Sequence, residues 1–110
     1  MLPEVNLGLF AGAHAAGGLV IDVREPHEYA AGHVPGARLI PLARLSHHVA
    51  ELPAGKPVYV ICACGDRSLT AAQFLNGSGI DARSVRGGTS AWIARGLPVV
   101  QGTKENTASP

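Results

Sequence analysis

Residues 58–68 read Val-Tyr-Val-Ile-Cys-Ala-Cys-Gly-Asp-Arg-Ser, and this stretch decides the fold class. Its first four residues are all apolar, which is typical of a strand buried on both faces of a sheet. The polar, glycine-containing run that follows predicts a loop. Beyond it, residues 67–76 place Leu69, Ala72 and Leu75 on one side of a predicted helix. A buried strand followed by a loop and a helix is the building unit of parallel α/β proteins.

The rest of the chain repeats this alternation of strands and helices. Leu19-Val20-Ile21, closed by Asp22, predicts a second strand, and shorter strands are predicted at Val5, at residues 38–40 and at residues 82–85. Further helices are predicted over residues 7–16, 26–31, 42–52 and 89–95. Alternating strands and helices predict a three-layer α/β/α fold with a mainly parallel sheet of about five strands. The polar, aperiodic residues 101–110 are predicted to be a disordered tail, which leaves one domain over residues 1–100.

Composition restricts the classes of function. The chain has 110 residues, of which 46% are hydrophobic, and this suits one globular domain. Its formal net charge of +1 predicts neither nucleic acid nor an anionic membrane as a partner. No run approaches the roughly 20 apolar residues of a membrane span, and the N-terminus lacks the basic region of a signal peptide. Two cysteines are too few for a disulfide framework, so a reducing compartment, the cytoplasm, is expected.

The loop after the central strand is the candidate site. Ligands of parallel sheets bind beyond the C-terminal ends of the strands, and Cys62 falls at such an end. The following helix directs the positive end of its dipole toward the same point, and loop N–H groups can surround the sulfur. Both effects favour a thiolate, and both would hold an anion or a persulfide above it. Gly65 allows the close backbone approach that such a loop needs.

Motifs along most of the chain resemble those of the rhodanese family. An ordered series is more specific than the Cys-x-x-Gly motif alone, and here it runs from about Leu19 to Val99. The matching segments are Asp22-Val23-Arg24-Glu25-Pro26, Glu28-Tyr29, Gly32-His33-Val34-Pro35-Gly36-Ala37, Ile40-Pro41-Leu42, the Cys-x-x-Gly-x-Arg-Ser loop at residues 62–68, Gly87-Gly88, Ala91-Trp92 and Gly96-Leu97-Pro98-Val99.

The resemblance implies a rhodanese-like domain and a sulfurtransferase activity. Cys62 would be the nucleophile that takes sulfane sulfur from a small anion such as thiosulfate. Its persulfide would then pass the sulfur to a thiol, to cyanide or to a partner protein, in two half-reactions with ping-pong kinetics. No cofactor or metal is implied. By the same resemblance, the loop residues Ala63, Cys64, Gly65, Asp66, Arg67 and Ser68 would bind substrate, and Asp22 and Arg24 would support the loop.

Loop length also bears on the chemistry that the resemblance implies. Four residues separate Cys62 from Arg67, whereas the related phosphatases of this superfamily carry five. A tighter loop suits a sulfur atom on the nucleophile, and a wider loop suits phosphate. The spacing therefore favours sulfur transfer over phosphate ester hydrolysis.

Other functions remain compatible with these residues. The protein is alternatively a persulfide carrier or accessory module for a partner, a redox sensor that uses Cys62 and Cys64, or a domain in which Cys62 is an inert core thiol. Cys64 is expected to be a neutral loop residue, because a Cys-x-Cys disulfide ring would be strained. A zinc site is disfavoured because no second ligand pair has suitable spacing.

Several charged residues have predicted structural roles. Asp66 is interpreted as the N-cap of the helix after the loop, from where its charge would disfavour a thiolate on Cys62. Arg67 is expected to hold the loop through a carboxylate such as that of Asp22. Arg24 and Glu28 are interpreted as surface or local ion-pair residues. The remaining structural assignments are a hydrogen bond for His33, solvent exposure for His47 and His48, and a core position for Trp92.

Overall fold

The computed structural model describes residues 2–106, which build a five-stranded sheet with helices on both faces. The strands are β1 (Glu4–Val5), β2 (Leu19–Asp22), β3 (Arg38–Leu39), β4 (Val58–Ile61) and β5 (Ala82–Val85). The helices are α1 (Leu7–Ala15), α2 (Pro26–Ala31), α3 (Asp66–Gly77), α4 (Gly88–Ala94) and two 3-10 helices over Leu42–His47 and Val49–Glu51. The sheet order is β1-β5-β4-β2-β3, and all four strand pairs are parallel. The predicted parallel α/β fold is confirmed.

Strand β4 lies at the centre of the sheet, and all four of its side chains are buried. Successive side chains of a strand point to opposite faces. Val58 and Val60 accordingly pack in one core with α3 and the two 3-10 helices, while Tyr59 and Ile61 pack in a second core with α1, α2 and α4. This arrangement gives the three layers that the alternation of strands and helices predicts.

The parallel register brings the predicted site residues to one edge of the sheet. Strands β2 and β4 are neighbours, and Asp22 lies opposite Ile61. Cys62 therefore begins its loop beside the carboxyl end of β2, and α3 starts four residues later at Asp66.

The predicted helix over residues 42–52 differs in the structure, which has two 3-10 helices there. His48, with a φ of −116°, interrupts the segment. Leu42 and Leu45 are three residues apart, and a 3-10 helix places residues at this spacing on one face. The apolar contacts therefore form without a continuous α-helix.

Residues 101–106, which the sequence assigns to a disordered tail, make backbone contacts with the domain. The N–H of Gly102 donates to the carbonyl of Ala30 at 2.8 Å, and the N–H of Gly36 donates to the carbonyl of Glu105 at 2.8 Å. Backbone groups that find partners on the domain offset part of the entropy of ordering the segment. The predicted domain limit at residue 100 remains a prediction, and residues 107–110 of the predicted tail lie outside the described residues.

The ring of His33 makes structural hydrogen bonds, as the sequence predicts. Its ring is buried and stacks on Tyr29 with a centroid distance of 3.6 Å. The two ring nitrogens lie 2.8 and 2.7 Å from the carbonyl oxygens of Tyr29 and Lys104. Trp92 is also buried as predicted. None of the helices between residues 2 and 106 is both long and apolar enough to cross a membrane.

Candidate active site

Cys62 follows the last residue of β4, and its side chain is buried at the start of the loop. The backbone N–H of Gly65 donates a hydrogen bond to Sγ of Cys62 at 3.1 Å. Gly65 has a φ of +116° and is the N-cap of α3. This conformation is favoured by glycine, and it folds the loop back so that an N–H faces the sulfur. The loop thus supplies a donor at the atom that would carry negative charge.

Two buried serines extend from the cysteine into the core. Sγ of Cys62 lies 3.3 Å from Oγ of Ser68, and this hydroxyl lies 2.7 Å from Oγ of Ser84 on β5. Both serines are fully buried. A thiol donates to the Ser68 oxygen, whereas a thiolate accepts from the Ser68 hydroxyl once Ser84 in turn donates to Ser68. The two hydroxyls can therefore reorient so that Ser68 accepts a hydrogen bond from a thiol or donates one to a thiolate.

The first turn of α4 binds the backbone of the loop from the other side. The N–H of Thr89 donates to the carbonyl of Cys62 at 2.8 Å, and the N–H of Ser90 donates to the carbonyl of Ala63 at 3.0 Å. Because peptide groups are planar and trans, the N–H groups on the far side of these two peptides point away from α4. Gly88 makes the contact possible, since a Cβ there would lie 2.5 Å from the Cys62 oxygen.

Arg67 is held by Glu28 on α2 rather than by Asp22, which corrects the predicted partner. Its two terminal nitrogens donate to the two carboxylate oxygens of Glu28 at 2.8 and 2.9 Å. These hydrogen bonds lower the pKa of Glu28 to about 2 and raise the pKa of Arg67 above its usual value. Asp22 is unavailable because another guanidinium already occupies its carboxylate.

That guanidinium belongs to Arg24, which forms a local ion pair, one of the two roles that the sequence predicts, but which is buried and not on the surface. Its Nε and a terminal nitrogen donate to Asp22 at 3.0 and 2.8 Å, and the terminal nitrogen also donates to the carbonyl of Gly32 at 2.9 Å. Removing one partner of such a buried pair leaves an uncompensated charge, which is strongly destabilising. Among the described hydrogen bonds, none joins either side chain to residues 62–68. That Asp22 and Arg24 support the loop remains a prediction. They would do so indirectly, by holding the end of β2 beside the end of β4.

Asp66 is the first helical residue of α3, and Gly65 is the N-cap, so the predicted capping role of Asp66 is wrong. The glycine takes that position because the loop turns there with a positive φ. Cys64 in the loop and Asp66 at the start of α3 are both exposed, in contrast to the buried Cys62. Within residues 2–106, no group of three or more His, Cys, Asp or Glu side chains is arranged to hold a metal ion.

A cavity of about 570 Å³ lies at the opposite edge of the sheet. Gly18, Leu19, Lys56, Pro57 and Tyr59 are among the residues that line it, at the amino ends of β2 and β4. It contains none of the loop residues, so its size gives no reason to move the candidate site away from Cys62.

Sequence reasoning missed Ser84 and the partner of Arg67. Ser84 had a local signal, because it is a polar residue at an inward position of a strand. Glu28 had none that identified its partner, since it lies 39 residues from Arg67 in the chain. The Gly87-Gly88 pair stood out as a motif, but its contact with the loop depends on how α4 packs.

Comparison with known proteins agrees with this fold. The model of the rhodanese-like domain matches residues 8–95. The chain is 43% identical over 74 residues to the uncharacterized protein YqhL of Bacillus subtilis, covering 66% of this chain and 59% of that protein. It is 35% identical over 77 residues to the thiosulfate sulfurtransferase GlpE of Pseudoalteromonas translucida, covering 69% of this chain and 73% of that protein. A crystal structure of a rhodanese-related protein from Thermoplasma volcanium superposes with a TM-score of 0.82 at 36% identity, covering 88% of this chain and 96% of that chain.

The structure defines the class of protein as a parallel α/β domain with a cysteine loop at the carboxyl edge of its sheet. The chain belongs to the rhodanese family.

Proposed function

We propose that this protein is a sulfurtransferase that carries sulfane sulfur as a persulfide on Cys62. The observation that carries the proposal is the hydrogen bond from the Gly65 N–H to Sγ of Cys62, at the end of β4 and the start of α3. Kinship with a thiosulfate sulfurtransferase supports the same chemistry.

The thiolate of Cys62 is the reacting group. The Gly65 N–H and the Ser68 hydroxyl, backed by Ser84, stabilise negative charge on the sulfur. The same groups would stabilise a persulfide anion. Loop N–H groups that point away from α4, together with the N-terminus of α3, would orient the remainder of the donor.

The transfer proceeds in two balanced steps. In the first, the Cys62 thiolate attacks the outer sulfur of thiosulfate or a similar donor. The S–S bond of the donor breaks, sulfite leaves with its electron pair, and a persulfide anion forms on Cys62. In the second, a nucleophile such as cyanide or a thiolate attacks the terminal sulfur, and the Cys62 thiolate leaves.

Intact mass spectrometry tests the proposal. We expect the wild-type protein to gain the mass of one sulfur atom on incubation with a sulfane-sulfur donor and to lose it when cyanide is added. Cys62→Ser should gain none, because a hydroxyl is too weakly acidic to form the intermediate. Cys64→Ser is the matched control and should load like the wild type, since Cys64 is exposed on the loop and makes no described contact with the sulfur of Cys62.

Sulfur gained by Cys62→Ser would move the nucleophile to Cys64 and overturn the assignment. Stable loading of the wild type without turnover would identify a persulfide carrier instead. A loss of two hydrogens by the wild type after loading, absent from Cys64→Ser, would identify the Cys62 and Cys64 redox pair.

A further inference from the structure

The cavity of about 570 Å³ at the amino ends of β2 and β4 takes no part in the proposed sulfur transfer. Its volume lies within the range of small-molecule sites, which combine mostly apolar walls with a few polar groups. The C-terminal end of α1 forms one side, the segment before β4 forms the other, and Tyr59 contributes its ring. Cys62 lies beyond the opposite end of β4, so the cavity is separate from the cysteine loop.

Hydrogen bonds within the chain fix the wall that α1 forms. The N–H of Gly18 donates to the carbonyl of Ala13 at 2.9 Å. The N–H of Gly17 donates to the carbonyl of His14 at 3.0 Å. At Gly18 the backbone comes so close to Tyr59 that a Cβ would lie 3.4 Å from the ring. Because these groups are bound before any ligand arrives, a ligand does not have to order them, and less free energy is lost on binding.

The apolar residues of the cavity suit a flat, rigid group. Ala16 and Leu19 present aliphatic surface on the side of α1 and β2. Pro53 and Pro57 present pyrrolidine rings on the other side, and Tyr59 presents an aromatic ring. Aromatic rings bury a large apolar area and pack against one another in offset or edge-to-face arrangements. An aromatic ring is therefore the apolar group that these walls accommodate best.

Lys56 supplies a positive charge at the cavity. It is exposed, and in the part of the chain that the structure describes no ion pair engages its ammonium group. Arg83, the cross-strand neighbour of Tyr59, is by contrast already bound to Asp81. None of the described lining residues is acidic. The C-terminus of α1 contributes about half of a negative charge, which the full charge of Lys56 exceeds, so the cavity favours an anion.

We propose that this cavity is a second binding site, for a small aromatic carboxylate. The ring of the ligand packs against Tyr59 and the two prolines, and its carboxylate accepts a hydrogen bond from the ammonium group of Lys56. A neutral molecule of the same shape forgoes this ion pair, and an amine meets a like charge. The site uses none of the residues of the cysteine loop and is independent of the proposed function.

A nuclear magnetic resonance titration with indole-3-acetate, and with the neutral indole-3-acetamide of nearly the same shape, tests the proposal. We expect saturable shifts of the backbone amides of Gly18 and Tyr59, while those of residues 62–68 stay in place. The dissociation constant of the carboxylate should be about 1 mM, as expected for a ligand of this size. The amide should bind about threefold more weakly, because it makes no ion pair with the exposed lysine.

Two pairs of variants separate the charge of the site from its shape. Lys56→Gln should weaken binding of the carboxylate about threefold and leave binding of the amide unchanged. Lys104→Gln removes the same charge from the other lysine of the chain, outside the cavity, and should change neither. Ala16→Trp should weaken both ligands by about tenfold or more, because an indole ring then fills the concave surface that they need. Ala15→Trp adds the same ring at an exposed position outside the lining and should weaken neither.

The same titrations give results that would overturn the proposal. Equal affinity of the wild type for the two ligands, or equal losses in Lys56→Gln and Lys104→Gln, would show that Lys56 binds no carboxylate. Shifts confined to residues 62–68 would place the ligand at the cysteine loop instead. Absence of a saturable shift at about 10 mM carboxylate would show that the cavity binds no such ligand. Sulfur loading on Cys62, measured separately, stays intact in each of these cases.

Discussion

The sulfur of Cys62 has polar neighbours that an inert core thiol does not need. Gly65 donates its N–H to Sγ, and the hydroxyls of Ser68 and Ser84 form a buried chain behind it. Burying hydroxyl groups next to a thiol is unfavourable unless they bond to one another or to the sulfur. Here they do both, and this arrangement supports the proposal that Cys62 is the reacting group.

At the scale of single residues, the ion pair between Glu28 and Arg67 leads to a prediction about the free energy of unfolding. Glu28→Gln should lower the free energy of unfolding at pH 7 by about 1 kcal/mol, since water reaches both side chains and screens the pair. Gln keeps the capping box of α2, in which the N–H of Glu25 donates to the residue 28 side chain, so the variant isolates the charge. Urea unfolding of the two proteins measures the difference.

The sign of the pH dependence follows from the lowered pKa of Glu28. This carboxylate contributes its stability above its unfolded pKa of 4.5, and the contribution is lost as pH falls toward its folded value of about 2. The gap between wild type and Glu28→Gln should therefore be complete at pH 7 and narrow below pH 4.5. A gap that stays constant down to pH 2 would show that the charge of Glu28 is not its cause.

At the scale of elements, the first turn of α4 positions the loop. Gly88→Ala should lower the free energy of unfolding by about 2 kcal/mol and slow sulfur loading at least tenfold. Gly88 has a φ of +59°, and an added Cβ would meet the carbonyl oxygens of Cys62 and Ala63 at 2.5 and 2.6 Å. Either the helix or the loop must then move, and a shift of the nucleophile impairs the reaction. Urea unfolding and the rate of mass gain measure the two effects.

Gly77→Ala is the matched control for this prediction. Gly77 ends α3, and a Cβ there would meet nothing within 4 Å. That variant should load sulfur at the wild-type rate and unfold at equal or higher urea concentration. Loading of Gly88→Ala at the rate of Gly77→Ala would mean that the loop does not depend on its contact with α4.

At the scale of the whole molecule, the contacts of residues 101–106 lead to a prediction about where the folding unit ends. A chain cut after Val100 should lose about 2 kcal/mol of stability, because the Gly36 N–H and the ring of buried His33 lose their partners in this segment. Its sulfur loading should stay near that of the full chain, since none of the described hydrogen bonds of residues 101–106 involves residues 62–68. Urea unfolding of chains ending at Val100, at Asn106 and at Pro110 separates the contributions.

Two results would contradict the prediction that residues 101–106 stabilise the domain. Equal stability of the chain ending at Val100 and the full chain would place the domain limit at residue 100, as the polar composition of the tail predicts. A chain ending at Asn106 that is as unstable as the one ending at Val100 would assign the effect to residues 107–110.

The sequence by itself determined the order of elements, the parallel class of the sheet and the position of the cysteine loop. The apolar run at residues 58–61, the glycine and polar residues after it, and the apolar spacing of α3 are local signals of burial and turn geometry. Such signals need no knowledge of the partner, so strand β4 and the start of its loop follow from the chain alone.

Tertiary structure alone decided which groups meet at the site. Arg67 binds Glu28 because Arg24 occupies Asp22, and Ser84 meets Ser68 because β5 pairs with β4. Gly65, rather than Asp66, caps α3 because the loop must turn its N–H toward the sulfur. Each of these contacts depends on the choice between chemically similar partners. That choice is made by the packing of elements distant in the chain, which local periodicity does not encode.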